Sequence, residues 1–263
     1  MKKKLLWMIP ALLLLFAGCG GAGGETQESE NTAEANQEIT IYLVRHGKTW
    51  FNTTGQVQGF ADSPLTDVGI EQAELVGEAL ADKTFATAYS SDLGRQRNTA
   101  KLILEQNQNK TPQLTENNGF REKNFGGFDG QPNATMWNTI MEPYGLSYKD
   151  DWSDYPKLLE ELGGEAGVVD AIAEKDELGA AETFDEVKTR GVKAMDQVIT
   201  ETTKAGGGNV LIVSSGGMIP ILLEAIVPGE YQGEDIGNCS ITTLTYKDGE
   251  YHLKKIADTS HLE

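Results

Sequence analysis

The chain has 263 residues and a formal net charge of −18, with 40 acidic against 22 basic side chains. That balance argues against nucleic acid and other extended polyanions as partners, because binding them relies on Lys and Arg contacts with phosphate. The cysteines are Cys19 and Cys239 alone, so no disulfide framework carries the fold and stability has to come from an ordinary apolar core.

The first residues speak to compartment. Lys2, Lys3 and Lys4 precede an apolar run from Leu5 to Phe16. That run is too short to span a bilayer, where about 20 residues are needed. It ends in Phe16-Ala17-Gly18-Cys19, small residues before a cysteine, as at the cleavage site of a secretory signal. The alternative is an ordinary signal whose cysteine is incidental. The pattern resembles the lipobox of bacterial lipoproteins, which implies removal of residues 1–18 and lipidation of Cys19 as the new N-terminus. The expected location is then the extracytoplasmic face of a bacterial cell membrane, with a diacyl or triacyl anchor meeting the two-signal requirement for stable attachment. Residues 19–38, rich in Gly, Glu, Gln, Asn and Thr, cannot bury enough apolar surface to order themselves and read as a flexible tether. Residues 39–263 remain as one domain.

Within that domain Ile39-Thr-Ile-Tyr-Leu-Val44 is a short β-branched run that stops at charged residues, as a buried parallel strand does. Asp67 to Ala81 has apolar residues at helical spacing, with Thr66 as the predicted N-cap. Phe85 to Tyr89 predicts a second strand, and Ser91 or Asp92 would cap a helix reaching about Glu105. Residues 131–180 are acidic, hold Trp137 and Trp152, and show weak periodicity; they read as a helical insertion or lid. Thr183 to Thr203 is amphipathic, Val210 to Val213 is a strand, and a helix follows Ser214-Ser215-Gly216-Gly217 to about Ile226. Ile241–Tyr246 and Tyr251–Ile256 flank Asp248-Gly249, a hairpin signal. Strands alternating with helices predict a three-layer α/β/α sandwich with a largely parallel central sheet. Ligands in such sheets bind beyond the carboxyl ends of the strands, where both Arg45-His46-Gly47 and Ser214-Ser215-Gly216-Gly217 fall.

Those clusters suggest phosphate chemistry. An imidazole attacks phosphorus when one ring nitrogen is held protonated and the other is free. An arginine fork matches phosphate oxygens with paired, charge-assisted hydrogen bonds, and Gly47 is expected to let the backbone approach an oxyanion. Arg45-His46-Gly47 with Asn52, then Gln58-Gly59, Asp62, Pro64-Leu65-Thr66, Gly69 and Gln72-Ala73, resembles the N-terminal signature of phosphoglycerate-mutase-like histidine phosphatases. Ser90-Ser91-Asp92-Leu93-x-Arg95 with Thr99-Ala100 is similar to the family's second block, and Phe120-Arg121-Glu122 to its acid-bearing block. Glu182-Thr183-Phe184 with Arg190, the Val213–Gly217 loop and Asn238-Cys239-Ser240 continue in the family's order.

The resemblance implies His46 as the phosphoryl acceptor, Arg45 and Arg95 as ligands of the equatorial oxygens, and Glu122 as acid and then base. It implies Asn52, Gln58, Gly59 and Gly216 around a small phosphorylated substrate, with neither metal nor other cofactor. A carboxyl that protonates the leaving oxygen must be neutral first, so a raised pKa or a mildly acidic optimum is expected for it. Taken singly, Arg95 reads equally as a solvated helix charge, Glu122 as a surface carboxylate beside Arg121, and Asn52 as a turn former.

Three positions depart from the family's pattern. Lys48 creates Gly-Lys-Thr, the end of a P-loop, but Tyr42 stands where the motif's first glycine is required. Gln56 replaces a common arginine. Ser215 replaces the histidine of the family's Ser-His-Gly, leaving a shorter and never cationic donor. Losing one preorganised donor costs about 100- to 1,000-fold in rate. Two readings follow: a slow extracytoplasmic phosphomonoesterase, or a pseudophosphatase that binds phosphorylated ligands or a protein partner without turnover. His252 and His261 are not placed in sequence to replace the lost histidine, and a hydrolase elbow at Ser215 fails because Val213 occupies its first glycine.

Overall fold

A computed structural model describes residues 38–263; the signal, Cys19 and all but the end of the tether lie outside the described residues. β1 (Ile39–Arg45), β2 (Phe85–Ser90), β3 (Leu114–Glu116), β4 (Gly208–Ser214), β5 (Ile241–Lys247) and β6 (Glu250–Asp258) form one sheet in the order β3-β2-β4-β1-β5-β6. β3, β2, β4 and β1 run parallel, while β5 is antiparallel to β1 and forms a hairpin with β6. The α/β class and the largely parallel sheet are therefore as the sequence predicts. The hairpin turns at Asp248 (φ 55°) and Gly249 (φ 89°), two successive left-handed residues, which is what a two-residue turn between right-twisted strands requires.

Alternation along the central strands builds two separate cores. Ile39, Ile41 and Leu43 of β1, with Val210 and Ile212 of β4, pack against α7 (Phe184–Lys204) and α8 (Met218–Ile226). Val44, Leu211 and Val213 face the other way, onto α2 (Asp67–Ala79) and α3 (Gly94–Glu105). A one-residue slip of either strand would exchange these faces, so the pairing of Arg45 with Ser214 at the carboxyl ends is tightly specified. That pairing brings the two suggestive clusters side by side.

Local chemistry sets the helix starts. The Thr66 hydroxyl accepts from Gly69 N–H and caps α2, as predicted. Thr183 caps α7 in a reciprocal box with Glu186. α3 differs from expectation: neither Ser91 nor Asp92 caps it. The Asp62 carboxylate, from a distant loop, accepts from Gly94 N–H at 2.6 Å and Arg95 N–H at 3.4 Å. The sequence also hides a five-residue helix, α1 (Trp50–Thr54), capped by Thr49.

Residues 131–180 are helical, comprising α4 (Asn133–Met141), α5 (Tyr155–Leu162) and α6 (Glu165–Lys175). They bury Met136, Trp137, Ile140, Leu158 and Ile172 against Val57 and Phe125 in a third core. No helix among the described residues is long and apolar enough to cross a membrane.

Candidate active site

His46 is the first residue beyond β1 and is buried. Its backbone N–H donates to Ser214 O at 3.0 Å, and its carbonyl accepts from Asn238 Nδ2 at 3.0 Å, so the residue is held from both sides. Ring Nδ1 lies 2.9 Å from Gly47 O. A carbonyl only accepts, so Nδ1 carries the proton and Nε2 keeps its lone pair. Burial, with the positive charges of Arg95 and Arg45, holds the imidazole pKa well below its ordinary value. The ring is therefore neutral at physiological pH, the form a nucleophile needs.

Gly47 has a different purpose from the one expected. A Cβ there would lie 2.3 Å from Gly69 O, and one on Gly69 would lie 2.0 Å from Lys48 O. The two glycines let the start of α2 rest against the backbone behind His46; close approach to an oxyanion is not what requires Gly47.

The two arginines divide the work. Arg45 faces the cavity, donates from one terminal nitrogen to Ile236 O at 2.6 Å, and leaves a buried Nε–H unpartnered. Gly216 lies flat against its guanidinium, since a Cβ there would come within 3.1 Å of Cζ. Arg95 is buried, and both its terminal nitrogens are engaged. They donate to Asp62 Oδ1 (3.0 Å), Ala61 O (3.2 Å), Gly59 O (2.7 Å) and Gln58 O (3.3 Å). Its fork thus organises the 58–62 loop, and its Nε–H alone is buried without a partner. Gln58 lines the cavity, but its amide is engaged by Thr49 and Ser63, while Gly59 lies behind Arg95. Asn52 also lines the cavity, its Oδ1 receiving Thr49 N–H and Asn238 Nδ2.

Glu122 is buried against the loop after β4. Its Oε2 accepts from Gly217 N–H at 2.8 Å and its Oε1 from Lys123 N–H at 2.9 Å. A Cβ on Gly217 would lie 2.4 Å from Oε1, so this glycine is required for the carboxylate's seat. Arg190 pins the segment from behind, donating to the carbonyls of Gly119, Arg121 and Glu122 while bound by both carboxylate oxygens of Glu182. Ser215 is fully buried, and its Oγ accepts from Gln96 Nε2. Of the predicted site residues, Arg45, His46, Asn52, Gln58, Glu122 and Gly216 line one cavity of about 1130 Å³; Arg95, Gly59 and Ser215 stand behind its wall. His252 and His261 are not on that wall; His261 Nε2 instead approaches Cys239 O at 3.0 Å.

The far end of the cavity was not predicted in residue detail. Lys123 is buried, and its Nζ donates to Glu165 Oε1 of α6 at 2.9 Å. Tyr155 OH donates to Glu165 Oε2 at 2.6 Å. Burial would depress the ammonium, but Glu165 and Glu122 outweigh it and raise the Lys123 pKa; Lys123 in turn lowers that of Glu165. Trp137, Trp152 and Tyr155 meet edge to face, with centroids 5.1, 5.5 and 5.6 Å apart. Trp152 holds a left-handed φ of 56°, a strained conformation for a bulky residue that the aromatic contacts help to fix. Glu224, Glu234 and Asp235 face the same space. Among the described residues no cluster of His, Cys, Asp and Glu is placed to hold a metal ion.

A nucleophilic imidazole, two buried cations and a seated carboxylate at the ends of parallel strands define a site for phosphoryl transfer. Residues 41–259 match the model of the histidine phosphatase superfamily (branch 1), and the chain belongs to that family. It is similar to a metal-independent phosphoserine phosphatase of Arabidopsis thaliana, 28% identical over 90% of this chain and 89% of that protein. A probable phosphoglycerate mutase of Yersinia pestis is 26% identical over 86% of this chain and 95% of its own length. Among solved structures, a phosphoglycerate mutase from Bacillus anthracis superposes with a TM-score of 0.79 at 34% identity, covering 87% of this chain and 97% of that one.

Proposed function

We propose that the protein is a lipid-anchored extracytoplasmic phosphatase that hydrolyses small phosphomonoesters through a phosphohistidine. The observation carrying this reading is the His46 ring, neutral, with Nδ1–H tied to Gly47 O and Nε2 free, in the field of the buried Arg95 and Arg45 charges. Nε2 attacks phosphorus as the ester P–O bond breaks, and Glu122 protonates the departing oxygen. Water then attacks the phosphohistidine, Glu122 takes its proton, and His46 leaves as the neutral imidazole with orthophosphate released. The buried positive charges meet the charge spread over the equatorial oxygens. Ser215, buried against Gln96 and off the cavity wall, does not supply the donor that the family's histidine provides, and turnover is slow for that reason.

The relatives bear names of phosphoserine and phosphoglycerate enzymes, and a compact phosphorylated metabolite suits this chain as well. Its cavity suits a leaving group with an apolar or aromatic part: Trp137, Trp152 and Tyr155 line it, and its charged lining is mixed, with Glu224, Glu234 and Asp235 alongside Lys188 and with Lys123 already paired to Glu165. Hydrolysis is favoured over mutase action because phosphorylated glycolytic intermediates are cytoplasmic, whereas the lipobox-like Cys19 directs the chain outward. Residues 131–180 act in this reading as the lid that selects the leaving group.

The full-length chain in detergent, given an aryl phosphate, is expected to release phenol slowly and to accumulate an acid-labile phosphoryl group. Both should vanish in His46→Ala. Orthophosphate binding with no phosphoryl-enzyme at any pH would replace this reading with the pseudophosphatase, which the burial of Ser215 away from the cavity wall favours. Incorporation of labelled fatty acid, lost in Cys19→Ala, tests the anchor separately.

A further inference from the structure

Lys123 follows the acid in sequence, and the fold keeps its side chain beside the acid in space. Its backbone N–H donates to Glu122 Oε1 at 2.9 Å. A Cβ on Gly217 would lie 2.4 Å from Glu122 Oε1 and 2.7 Å from Lys123 Cε, so the carboxyl group and the end of the lysine stem border one point of the cavity wall. A leaving oxygen protonated by Glu122 brings the first atoms of its alcohol to this point.

An open ammonium there would attract an anionic leaving group, but this one is covered. Its Nζ donates to Glu165 Oε1 at 2.9 Å and lies over the Phe125 ring, 5.6 Å from the centroid. The two partners are unequally accessible: the Lys123 side chain is 8% exposed and that of Glu165 33%. Tyr155 OH holds the second carboxylate oxygen at 2.6 Å. Burial, and then Glu165, push the Tyr155 pKa up, so the phenol keeps the proton it donates. Glu165 opens α6 and Tyr155 opens α5, so two helix starts converge on one lysine. What a ligand meets is therefore the carboxylate of the pair, not its ammonium. Elsewhere the lining carries Lys188 as well as Glu224, Glu234 and Asp235, so no general charge decides what enters.

We propose that Glu165 is the specificity-determining residue of the leaving-group site: by covering Lys123 it makes the protein select phosphomonoesters of uncharged alcohols over those with a carboxylate close to the ester oxygen. A substrate carboxylate would meet a like charge, which an enclosed site penalises strongly. A hydroxyl would find an acceptor, because a carboxylate offers about four lone-pair sites and Lys123 and Tyr155 take two of them. This rests on the phosphatase reading for which oxygen leaves, and it narrows the substrate class that reading allows.

The test compares glycerol 3-phosphate with 3-phosphoglycerate, which differ in a hydroxymethyl against a carboxylate group. The full chain is assayed for the ratio of kcat/KM, and the ratio of affinities is measured by calorimetry in His46→Ala, where no ester is consumed. Both ratios should favour glycerol 3-phosphate by about tenfold, a modest factor because Glu165 is one-third exposed. Glu165→Gln keeps the shape and the Tyr155 bond while uncovering the cation, and should reverse the preference, a swing of about 100-fold. Lys123→Met combined with Glu165→Gln leaves no unpaired charge and should show no preference; it carries the test should Glu165→Gln alone fail to fold. Loss of packing would weaken both esters alike and leave the ratio in place. Equal use of the two esters by the natural chain, a ratio unmoved by Glu165→Gln, or the same swing in the double variant would each overturn the assignment. The expected affinity ratios in a chain that turns over neither ester would keep the role of Glu165 and remove the phosphatase reading. Turnover of both esters with equal kcat/KM would do the reverse.

Discussion

At the phosphate end of the cavity almost every functional group is fastened to backbone. His46 is held through Ser214, Asn238 and Gly47, Glu122 through Gly217, and Arg95 through three carbonyls and Asp62. The leaving-group end is held by side chains meeting side chains: Lys123 with Glu165, Tyr155 with Glu165, and a set of aromatic edges. The difference separates two tasks. Reaction geometry is specified by the register of β1 against β4, which cannot shift without inverting both cores. The helical wall of residues 131–180 packs on its own core and can change its lining without moving the nucleophile.

The largest effect should come from loosening the backbone-held end. Asp62→Ala removes the counter-charge of a fully buried guanidinium and, at the same time, the cap of α3. Breaking a buried pair costs about 3–5 kcal/mol; with Asp62 itself about a third exposed, and a cap worth about 1 kcal/mol included, a total near ~3 kcal/mol is expected. Urea unfolding measures it, and orthophosphate affinity should fall alongside. Normal phosphate binding in a destabilised Asp62→Ala chain would show that Arg95 needs no support from this loop, and the contrast between the two ends would lose its basis.

Glu165→Gln tests the other end. Lys123 is left buried with only Glu122 as counter-charge, and a loss of about 2 kcal/mol is expected after allowing for the partial exposure of Glu165. KM for an aryl phosphate should rise while orthophosphate affinity stays put, because orthophosphate asks nothing of the helical wall of residues 131–180. Equal losses for both ligands would mean the ends are not separable.

The same division governs what the sequence reveals. β1, β4 and the turns that follow them are legible because a run of β-branched residues that halts at Arg45-His46 or Ser214-Ser215 has few other ways to fold. Thr66 and Thr183 announce their helices because the capping partner lies three residues away. The cap of α3 escapes that logic, since Asp62 is 32 residues upstream of Gly94 and becomes its neighbour only when Arg95 draws the 58–62 loop inward. Gln96 is likewise silent: between Arg95 and Arg97 it reads as a helix-surface residue, and its burial depends on where the loop after β4 arrives. In residues 131–180 the helices are short and broken by Gly145, Gly163 and Gly164, all left-handed in φ, so no periodicity accumulates. Lys123 and Glu165 are then 42 positions apart with no local signal joining them.

Acid sensitivity offers a finer comparison. The unfolded imidazole titrates near 6.5, whereas burial and the two arginines hold folded His46 well below that. As pH falls below 6.5 the unfolded chain takes up a proton that the folded chain refuses, so stability falls at up to about 1.4 kcal/mol per pH unit. His46→Ala should remove this slope, leaving a smaller acid-induced drop in the unfolding midpoint between about pH 6.5 and 5. A variant as acid-sensitive as the natural chain would mean that the phosphate end does not store this cost. His261, also held low by burial, contributes a parallel slope in both chains and does not alter the difference.

The smallest effect belongs to the joint between the ends. α7 begins at Phe184, whose N–H donates to Asp170 of α6 at 2.9 Å, and two turns later carries Arg190, which pins the Glu122 segment. Thr183 caps this helix through its hydroxyl, with Glu186 answering to the Thr183 N–H. Thr183→Ala removes both hydroxyl bonds to Glu186, from its N–H and to its carboxylate, at an exposed terminus and should cost about 1 kcal/mol, a fall in Tm of about 2–4 °C for a domain of this size. Arg190 keeps its contacts to Gly119, Arg121 and Glu182, so turnover should be unchanged. If Thr183→Ala lowered turnover by tenfold or more at full folding, fraying of the first turn would be reaching Glu122. α7 would then act as a lever between the helical wall and Glu122, and the two ends of the cavity would be coupled through it.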